Sequence, residues 1–368
     1  MAQSPRFGGF AWHDGYSCNE PGTLASTSRR PRNGPAILLQ PTRPAVTEAI
    51  ALDVHTHLIP IVEERLQGFD GIAWDQTRQV LTVDGHAVGM KPLFQPAALL
   101  DWMEKNGVAH AYVSAPPPVY RQHLRGADAR RWADYINNGL RDIAEHSAGR
   151  LTALVHLPTE EPAVAAAIVA EWRTAGHRHF AMPAGTGDQR TLGLAEFEPL
   201  WKALDIAGAF VFFHPGECAD GRLQSFYLTN LLGNPYESTV AIAHLVLSGV
   251  LERHPAITPC FAHGGGLTPM VAGRLQRGYD TARPGVATDL QPPEAVYGRI
   301  FVDCICHSEA AAVAAEATFG QDRVVFGSDW PFPMGLVEPH AQLAGFEPQR
   351  RKRYFTTNAN GLAGRIGT

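Results

Sequence analysis

The sequence has few cysteines, no long apolar run and no excess of basic residues. Five of its 368 residues are cysteine, an odd number without the spacing of a disulfide framework, so we expect reduced thiols in the cytoplasm. No run of about 18 apolar residues is present, so we expect no membrane span, and the N-terminus lacks the apolar segment of a secretory signal. With 31 Lys and Arg against 36 Asp and Glu, the net charge is −5, and we expect no nucleic-acid partner.

The composition of the chain is that of a globular protein. Hydrophobic residues make up 45% and charged residues 18%, which is enough apolar material for a core and excludes long-range disorder in the body of the chain. Residues 1–49 differ, because they are rich in Pro, Gly, Ser and Arg. We predict an irregular N-terminal extension over 1–49 and one folded body over 50–368.

From residue 50 onward, short apolar runs alternate with longer segments of helical periodicity. The predicted strands are Ile50–His55, His110–Ser114, Leu151–His156, His177–Met182, Ala209–His214, Thr258–Ala262, Ile300–Asp303 and Arg323–Gly327. The predicted helices are Pro96–Asn106, Ala129–His146, Glu161–Ala175, Leu194–Ala207, Ser238–Arg253, Gly266–Arg277, Ser308–Thr318 and Gln349–Ala363. Eight strands, each followed by a helix, predict an α/β fold of the (β/α)₈ TIM-barrel type. A doubly wound open sheet is the alternative, but it favours a glycine-rich phosphate loop after the first strand, which is absent here.

The segment 62–95 is too long for a simple connection between a strand and a helix. It contains turn signals at Gly68–Gly71 and at Asp84–Gly85, with alternating apolar residues between them. We therefore predict a small β-hairpin insertion after the first strand, over the mouth of the barrel.

Four of the predicted strands end in residues that can bind a metal or carry protons. His55 and His57 end the first strand, and residues two apart in an extended chain point to the same side. His214, His263 and Asp329 follow the fifth, sixth and eighth strands. Alone, a His-x-His pair or a histidine after a strand usually binds no metal and transfers no proton. Here four such strand ends meet at the carboxyl face of the barrel, where the active sites of TIM barrels lie.

This combination of imidazoles and a carboxylate predicts a catalytic site for one divalent metal. Such ligands suit Zn²⁺ best, and Fe²⁺ and Mn²⁺ accept the same set. The fourth strand region, Phe180–Pro183, has no lysine that could form a carbamate bridge between two ions, which favours a single ion. Glu217 offers a carboxylate for a second ion, although a role in its loop is the simpler interpretation.

The same residues resemble the amidohydrolase superfamily, and most closely its branch of aminocarboxymuconate-semialdehyde decarboxylase and related aromatic-acid decarboxylases. The similarity runs from about Leu52 to Leu362. The motifs that carry it are the His55–His57 pair, His214-Pro215, Asp220-Gly221-Arg222, the run Phe261-Ala262-His263-Gly264-Gly265-Gly266, Gly273-Arg274, and Gly327-Ser328-Asp329-Trp330-Pro331-Phe332-Pro333-Met334-Gly335.

The resemblance implies metal ligands at His55, His57, His214 and Asp329, and it implies that His263 is the acid/base group beside a metal-bound water. It also implies a homodimer, in which Arg274 serves a substrate carboxylate in its own site or in that of the partner. The sequence departs from this branch at one position, since Met90 stands where an arginine usually clamps the substrate acid. Lys91 offers a point charge in place of this arginine, but it cannot form the bidentate fork of arginine.

Two further residues are candidates for substrate contacts. His307 follows the seventh strand and faces the mouth if that strand is correct, and Trp330 is placed to form a wall of the pocket, although ordinary core packing explains it equally well. The substrate is then a small carboxylic acid or an acyl compound.

Two reactions are compatible with these residues. In a non-oxidative decarboxylation of an unsaturated or aromatic acid, an acid/base group protonates carbon as CO₂ departs. In the hydrolysis of an amide, ester or thioester, metal-activated water attacks the carbonyl while Asp329 or His263 carries the proton. The resemblance favours decarboxylation. A binding protein without metal is the third interpretation, and the complete ligand set argues against it.

Overall fold

The computed structural model describes residues 48–216, 218 and 220–366. The predicted irregular extension therefore lies outside the described residues up to residue 47, as does Glu217. The strands are β1 (Ile50–His57), β2 (Ile72–Asp75), β3 (Val80–Val83), β4 (His86–Val88), β5 (Val108–Ser114), β6 (Leu151–Ala153), β7 (Val155–His156), β8 (His179–Pro183), β9 (Phe210–His214), β10 (Thr258–Phe261), β11 (Phe301–Asp303) and β12 (Val324–Val325).

The helices cover the segments between these strands and the C-terminal part of the chain. They are α1 (Glu63–Leu66), α2 (Pro96–Asn106), α3 (Gly126–Glu145), α4 (Pro162–Thr174), α5 (Glu198–Ala207), α6 (Asn234–Leu247), α7 (Val250–Arg253), α8 (Thr268–Asp280), α9 (Pro293–Tyr297), α10 (Glu309–Phe319), α11 (Pro339–Gln342), α12 (Pro348–Lys352) and α13 (Asn358–Ile366). The predicted helix Gln349–Ala363 is interrupted by a π-helical turn at Arg353–Thr357. Within the described part of the chain, no helix combines the length and the apolarity needed to cross a bilayer.

The parallel strands close into the predicted barrel. One group runs β1-β5-β6 and the other runs from β7 through β8, β9, β10 and β11 to β12. β6 and β7 are one strand interrupted at Leu154, whose backbone N–H donates to Val113 at 2.8 Å. At the other junction, the N–H of Val54 donates to Phe326 at 3.0 Å, which joins the eighth barrel strand to the first. The (β/α)₈ prediction is confirmed.

Side chains alternate between the inside of the barrel and the helices. In β9, Phe210 and Phe212 belong to a cluster made of strand residues and α13, whereas Val211 and Phe213 pack with the larger cluster that includes the surrounding helices. This period of two follows from the pleat of a strand. His214 continues the inward set of Phe210 and Phe212, so its ring lies inside at the carboxyl end.

The insertion is a three-stranded antiparallel sheet, β2-β3-β4. It contains the predicted hairpin and one further strand, which the sequence pattern did not indicate because β4 has only three residues. Arg121, in the loop after β5, donates to Asp84 at 2.9 Å and to the carbonyl of Asp70 at 2.7 Å. These bonds fasten the insertion to the carboxyl side of the barrel.

Candidate metal centre

The two histidines of β1 and the aspartate after β12 converge at one point. The Nε2 atoms of His55 and His57 are 3.0 Å apart, and Oδ1 of Asp329 lies 3.2 Å from each of them. Ligand atoms about 2.1 Å from a common ion at angles of 90–110° are separated by roughly 3.0–3.4 Å. The observed spacing is therefore that of ligands around one cation.

His214 and His263 complete this cluster. The His214 ring centroid is 5.0 Å from those of both His55 and His57. One ligand atom each from His55, His214, His263 and Asp329 lies within 4.8 Å of the others. Nε2 of His263 is 3.6 Å from Oδ2 of Asp329, which is too long for a hydrogen bond. The residues expected at the four strand ends are thus brought together.

A polar partner occupies the outer nitrogen of each of three histidines. Nδ1 of His55 donates to Oδ2 of Asp303 at 2.7 Å. Nδ1 of His57 pairs with Oγ of Ser114 at 3.1 Å, and Nδ1 of His214 lies 2.9 Å from the carbonyl oxygen of Pro215. With the outer nitrogens bound in this way, the Nε2 lone pairs are left for the centre, as metal-binding imidazoles require.

The donor set fits a divalent metal. Oδ1 of Asp329 is buried and receives no hydrogen bond from the described residues. A buried carboxylate oxygen without a donor is costly unless a cation faces it. Three imidazole nitrogens and one such oxygen are the ligands that Zn²⁺ prefers, and Fe²⁺ and Mn²⁺ also accept them.

The electrostatics of the centre also favour a cation. Burial works to lower the pKa of His55, but the charges of Asp329 and Asp303 outweigh it and raise that pKa to about 10. Burial lowers the pKa values of His57 and His214, and in His214 the neighbouring imidazoles lower it further. Burial would raise the pKa of Asp329, but the charge of His55 and the close approach of the neighbouring imidazoles outweigh it and hold that pKa well below its usual range. The centre therefore combines an ionised carboxylate with two neutral imidazoles, and a metal would displace the proton of His55.

The loop that carries Asp329 is fixed by its backbone. Oδ1 of Asp53 accepts the N–H groups of His55 and Ser328, both at 3.0 Å, and burial raises the pKa of Asp53 to about 7. Asp329 itself has φ +56°. A Cβ on Gly335 would lie 2.1 Å from the carbonyl oxygen of Ser328, so the return of this loop requires glycine.

Of the three predicted substrate residues, two are exposed and one is buried. His307 is exposed after β11, and partial burial of its ring, together with the neighbouring His263, lowers its pKa. Arg274 is exposed on α8 and forms no ion pair within the described residues. Trp330 is buried in the large core cluster, with its ring 6.4 Å from that of Trp102, so core packing accounts for it. Met90 packs against the core, and Lys91 is exposed.

Asp303 and Asp53 were not assigned any role from the sequence. Asp303 ends the predicted seventh strand, and the strand-end rule that selected the other residues applies to it as well. Asp53 lies two residues before His55 in β1. Its acidic side chain between apolar neighbours is the sequence feature that could have indicated a role.

Known proteins are similar to this chain over most of its length. The family model described as Amidohydrolase matches residues 52–362. The chain is 26% identical over 307 residues to 2-amino-3-carboxymuconate-6-semialdehyde decarboxylase of Dictyostelium discoideum, covering 79% of this chain and 84% of the relative.

Solved structures share the fold. One is 5-carboxyvanillate decarboxylase LigW from Sphingomonas paucimobilis, with a TM-score of 0.71, 18% identity, and coverage of 86% of this chain and 99% of the other. Another is 5-carboxyvanillate decarboxylase LigW2 from Novosphingobium aromaticivorans with bound manganese, with a TM-score of 0.69, 18% identity, and coverage of 86% and 97%. The family match spans nearly the whole barrel, together with the histidine and aspartate cluster at its carboxyl face, and the chain is an enzyme that belongs to the amidohydrolase family.

Proposed function

We propose that this enzyme removes CO₂ from an unsaturated or aromatic carboxylic acid without oxidation, using one divalent metal. The observation that carries the proposal is the similarity to the Dictyostelium decarboxylase, which covers about four fifths of both chains. The single set of converging ligands supports it. So does the strand-four region, which offers no lysine to bridge a second ion.

The metal ligands and His263 have different roles in this reaction. A divalent ion bound there would polarise the oxygens of the acid and stabilise negative charge on it. His263 has the freest ring of the cluster, since its side chain is 15% exposed and 3.6 Å from Asp329. It would deliver a proton to the carbon that carries the carboxylate. The electron pair of the breaking C–C bond stays with the product, and CO₂ leaves.

Two positions near the mouth provide no free arginine for a carboxylate clamp. Met90 occupies the place where the related decarboxylases usually have an arginine, and Arg121 is held by Asp84. The remaining candidate is Arg274, which is exposed on α8. We assign the carboxylate to the metal and to Arg274, with His307 as a contact at the rim.

We propose that the ion is Zn²⁺, because three imidazoles and one carboxylate are its usual ligands. Manganese is bound by the Novosphingobium decarboxylase, and Mn²⁺ and Fe²⁺ are therefore the alternatives. Loading the metal-free enzyme with each ion in turn and measuring turnover separates them. The highest turnover with Mn²⁺ or Fe²⁺ would contradict the assignment of zinc.

We propose that the enzyme is a homodimer, joined through an apolar surface formed by residues 226–236 and Met270. Phe226 is 87% exposed and Met270 80% exposed, and Leu231, Leu232 and Tyr236 are exposed as well. Tyr236 lies on α6, which packs against the helix α8 that carries Met270. Exposed apolar residues grouped in this way mark an interface. Arg274 lies four residues after Met270 and so on the same face of α8. A second copy on this surface would bring Arg274 to the boundary between two sites.

Sedimentation of charged variants tests the dimer. We expect the double change Phe226→Glu with Leu231→Glu to give a monomer that still binds metal. Val313 on α10 is also exposed, at 45%, and Val313→Glu is the matched control that should remain dimeric. A monomeric wild type, or a dimeric double variant, would refute this interface.

The cytoplasmic location stays a prediction from the cysteine content.

Isotope labelling tests the reaction. The zinc-loaded enzyme is offered aromatic and unsaturated acids carrying ¹³C in the carboxyl group, and also acyl esters in H₂¹⁸O. We expect labelled CO₂ from an acid and a product that lacks the label. Incorporation of ¹⁸O into a carboxylic acid product, without release of CO₂ from any acid, would instead show a hydrolase.

A further inference from the structure

Tyr120 and His156 form a stacked pair next to the metal centre. Their rings are 5.2 Å apart with an interplanar angle of 17°, and both side chains are buried. Tyr120 follows β5 and His156 ends β7, so the pair joins two strand ends that provide no metal ligand. Neither residue has a role in the chemistry described so far.

Both members of the pair are fixed by their surroundings. Pro116, Pro117 and Pro118 stiffen the turn before Tyr120, and Nε1 of Trp132 donates to the carbonyl of Val119 at 2.7 Å. The backbone of His156 is held from both sides by Asn137, with bonds of 2.6 and 3.0 Å. Rings held in this way are preorganised for a ligand, because little conformational freedom is lost on binding.

The Tyr120 side chain is directed toward the cluster. Its ring is 6.4 Å from that of His214 at 79°, and burial, together with the nearby carboxylate of Asp329, raises the pKa of its hydroxyl group. Tyr120 is only 6% exposed, yet its hydroxyl makes no hydrogen bond to any residue that the structure describes. The hydroxyl oxygen is not among the fully buried atoms that lack a partner, so it is accessible to a ligand at the centre.

The cavity behind the pair leaves no room for the ligand itself. A space of about 10 Å³ is lined by Tyr120, His156, Trp132 and Glu160 among others, which is enough for one water at most. The ligand must therefore approach Tyr120 from the side of the metal centre.

We propose that Tyr120 is a specificity-determining residue, whose hydroxyl donates a hydrogen bond to an oxygen of the acid bound at the metal, and that His156 is the positioning residue that holds its ring. The inference rests on the proposed function in so far as the ligand is a carboxylic acid. In this proposal Tyr120 recognises an oxygen of the bound acid on the side of the centre next to His214.

Binding of 2-hydroxybenzoate to the zinc-loaded enzyme tests the role of Tyr120. This probe carries a carboxylate and a neighbouring hydroxyl, and calorimetry measures its affinity without any turnover. Tyr120→Phe removes only the hydroxyl. We expect it to weaken binding about tenfold, as the loss of one such hydrogen bond does, while the zinc content is unchanged. Equal affinity in both proteins, or no binding by the wild type, would overturn the proposal.

Two changes at His156 separate stacking from other roles. His156→Phe keeps an aromatic ring against Tyr120 and should bind the probe within about twofold of the wild type. His156→Ala removes the stacked ring and should weaken binding, and in the Tyr120→Phe background it should have little further effect. If His156→Phe is as weak as His156→Ala, or if the two losses add in the double variant, His156 does not act by holding Tyr120.

These measurements distinguish the two proposals. Weaker binding by Tyr120→Phe in an enzyme that releases no CO₂ from any acid would support the role of Tyr120 and reject decarboxylation. Release of CO₂ together with equal binding by Tyr120→Phe would do the reverse.

Discussion

Asp303 accepts a hydrogen bond from Nδ1 of His55 at 2.7 Å, and both side chains are completely buried. The other oxygen of Asp303 accepts the N–H groups of Gly264 and Ile305, both at 3.0 Å. One carboxylate thus orients a proposed metal ligand of β1 and fixes the loop that carries His263. Partners of this kind set the tautomer and the direction of a metal-binding imidazole.

Replacing Asp303 by alanine should weaken metal binding. Loss of the partner of a ligating histidine typically costs about 10- to 100-fold in affinity, which competition with a chelator measures. Asp322 has an exposed side chain, and Asp322→Ala is the control that should leave the affinity unchanged. An Asp303→Ala protein with the affinity of the wild type would show that this carboxylate does not support the site.

His263→Ala should separate metal binding from turnover. Because we assign His263 to proton transfer, its loss should leave most of the metal in place and lower kcat by about 100- to 10,000-fold. Metal analysis and steady-state kinetics on the same preparation measure both. His263 is close enough to the cluster to be a ligand, and an empty site in this variant would make it one.

Gly335→Ala should lower metal affinity from a distance. The added Cβ would lie 2.1 Å from the carbonyl oxygen of Ser328 and 2.9 Å from Cβ of Asp329, so the loop must move and take Asp329 with it. At Gly345 nothing lies within 4 Å of the added Cβ, and Gly345→Ala is the matched control. Chelator competition on both variants measures the difference, and equal affinities would mean that the loop adapts without moving Asp329.

The stability of the protein should decline in mild acid partly because of His179, which lies at the start of β8. Burial, together with the neighbouring His110 and His177, lowers the pKa of His179 to about 4. In the unfolded chain the value is about 6.5. As the pH falls from 6.5 toward 4, the unfolded state takes up a proton that the folded state refuses, so stability is lost over that range.

The size of this effect follows from linkage. At pH 5.5 the contribution of His179 is about 1 kcal/mol. Urea unfolding of the metal-loaded protein at pH 7.5 and 5.5 should show a smaller loss in His179→Leu than in the wild type. The same loss in both proteins would place the acid sensitivity elsewhere.

The sequence predicted the barrel and the residues of the centre because both follow from periodic patterns. Apolar runs such as Phe210–Phe213 are buried on both faces of their strand, and the residue after each run lies at the carboxyl edge of a parallel barrel. This rule placed His55, His214 and Asp329 together although they are far apart in the chain. It also applies to Asp303, but the contact of Asp303 with His55 joins residues far apart in the chain and has no local signal.

Other features depend on three-dimensional packing that no local pattern shows. The sequence left Trp330 between a pocket wall and ordinary core packing, and its ring lies in the large core cluster, 6.4 Å from that of Trp102. The stacking of Tyr120 on His156 joins residues from two different strands. Neither arrangement has a periodic signal in the sequence.

The position of a bound metal tests the central claim most directly. Crystals of the zinc-loaded enzyme, measured at the zinc absorption edge, should give one anomalous peak per chain. We expect it about 2.0–2.2 Å from Nε2 of His55, His57 and His214 and from an oxygen of Asp329. A peak that lies away from these four side chains, or no peak in a fully loaded protein, would contradict the account.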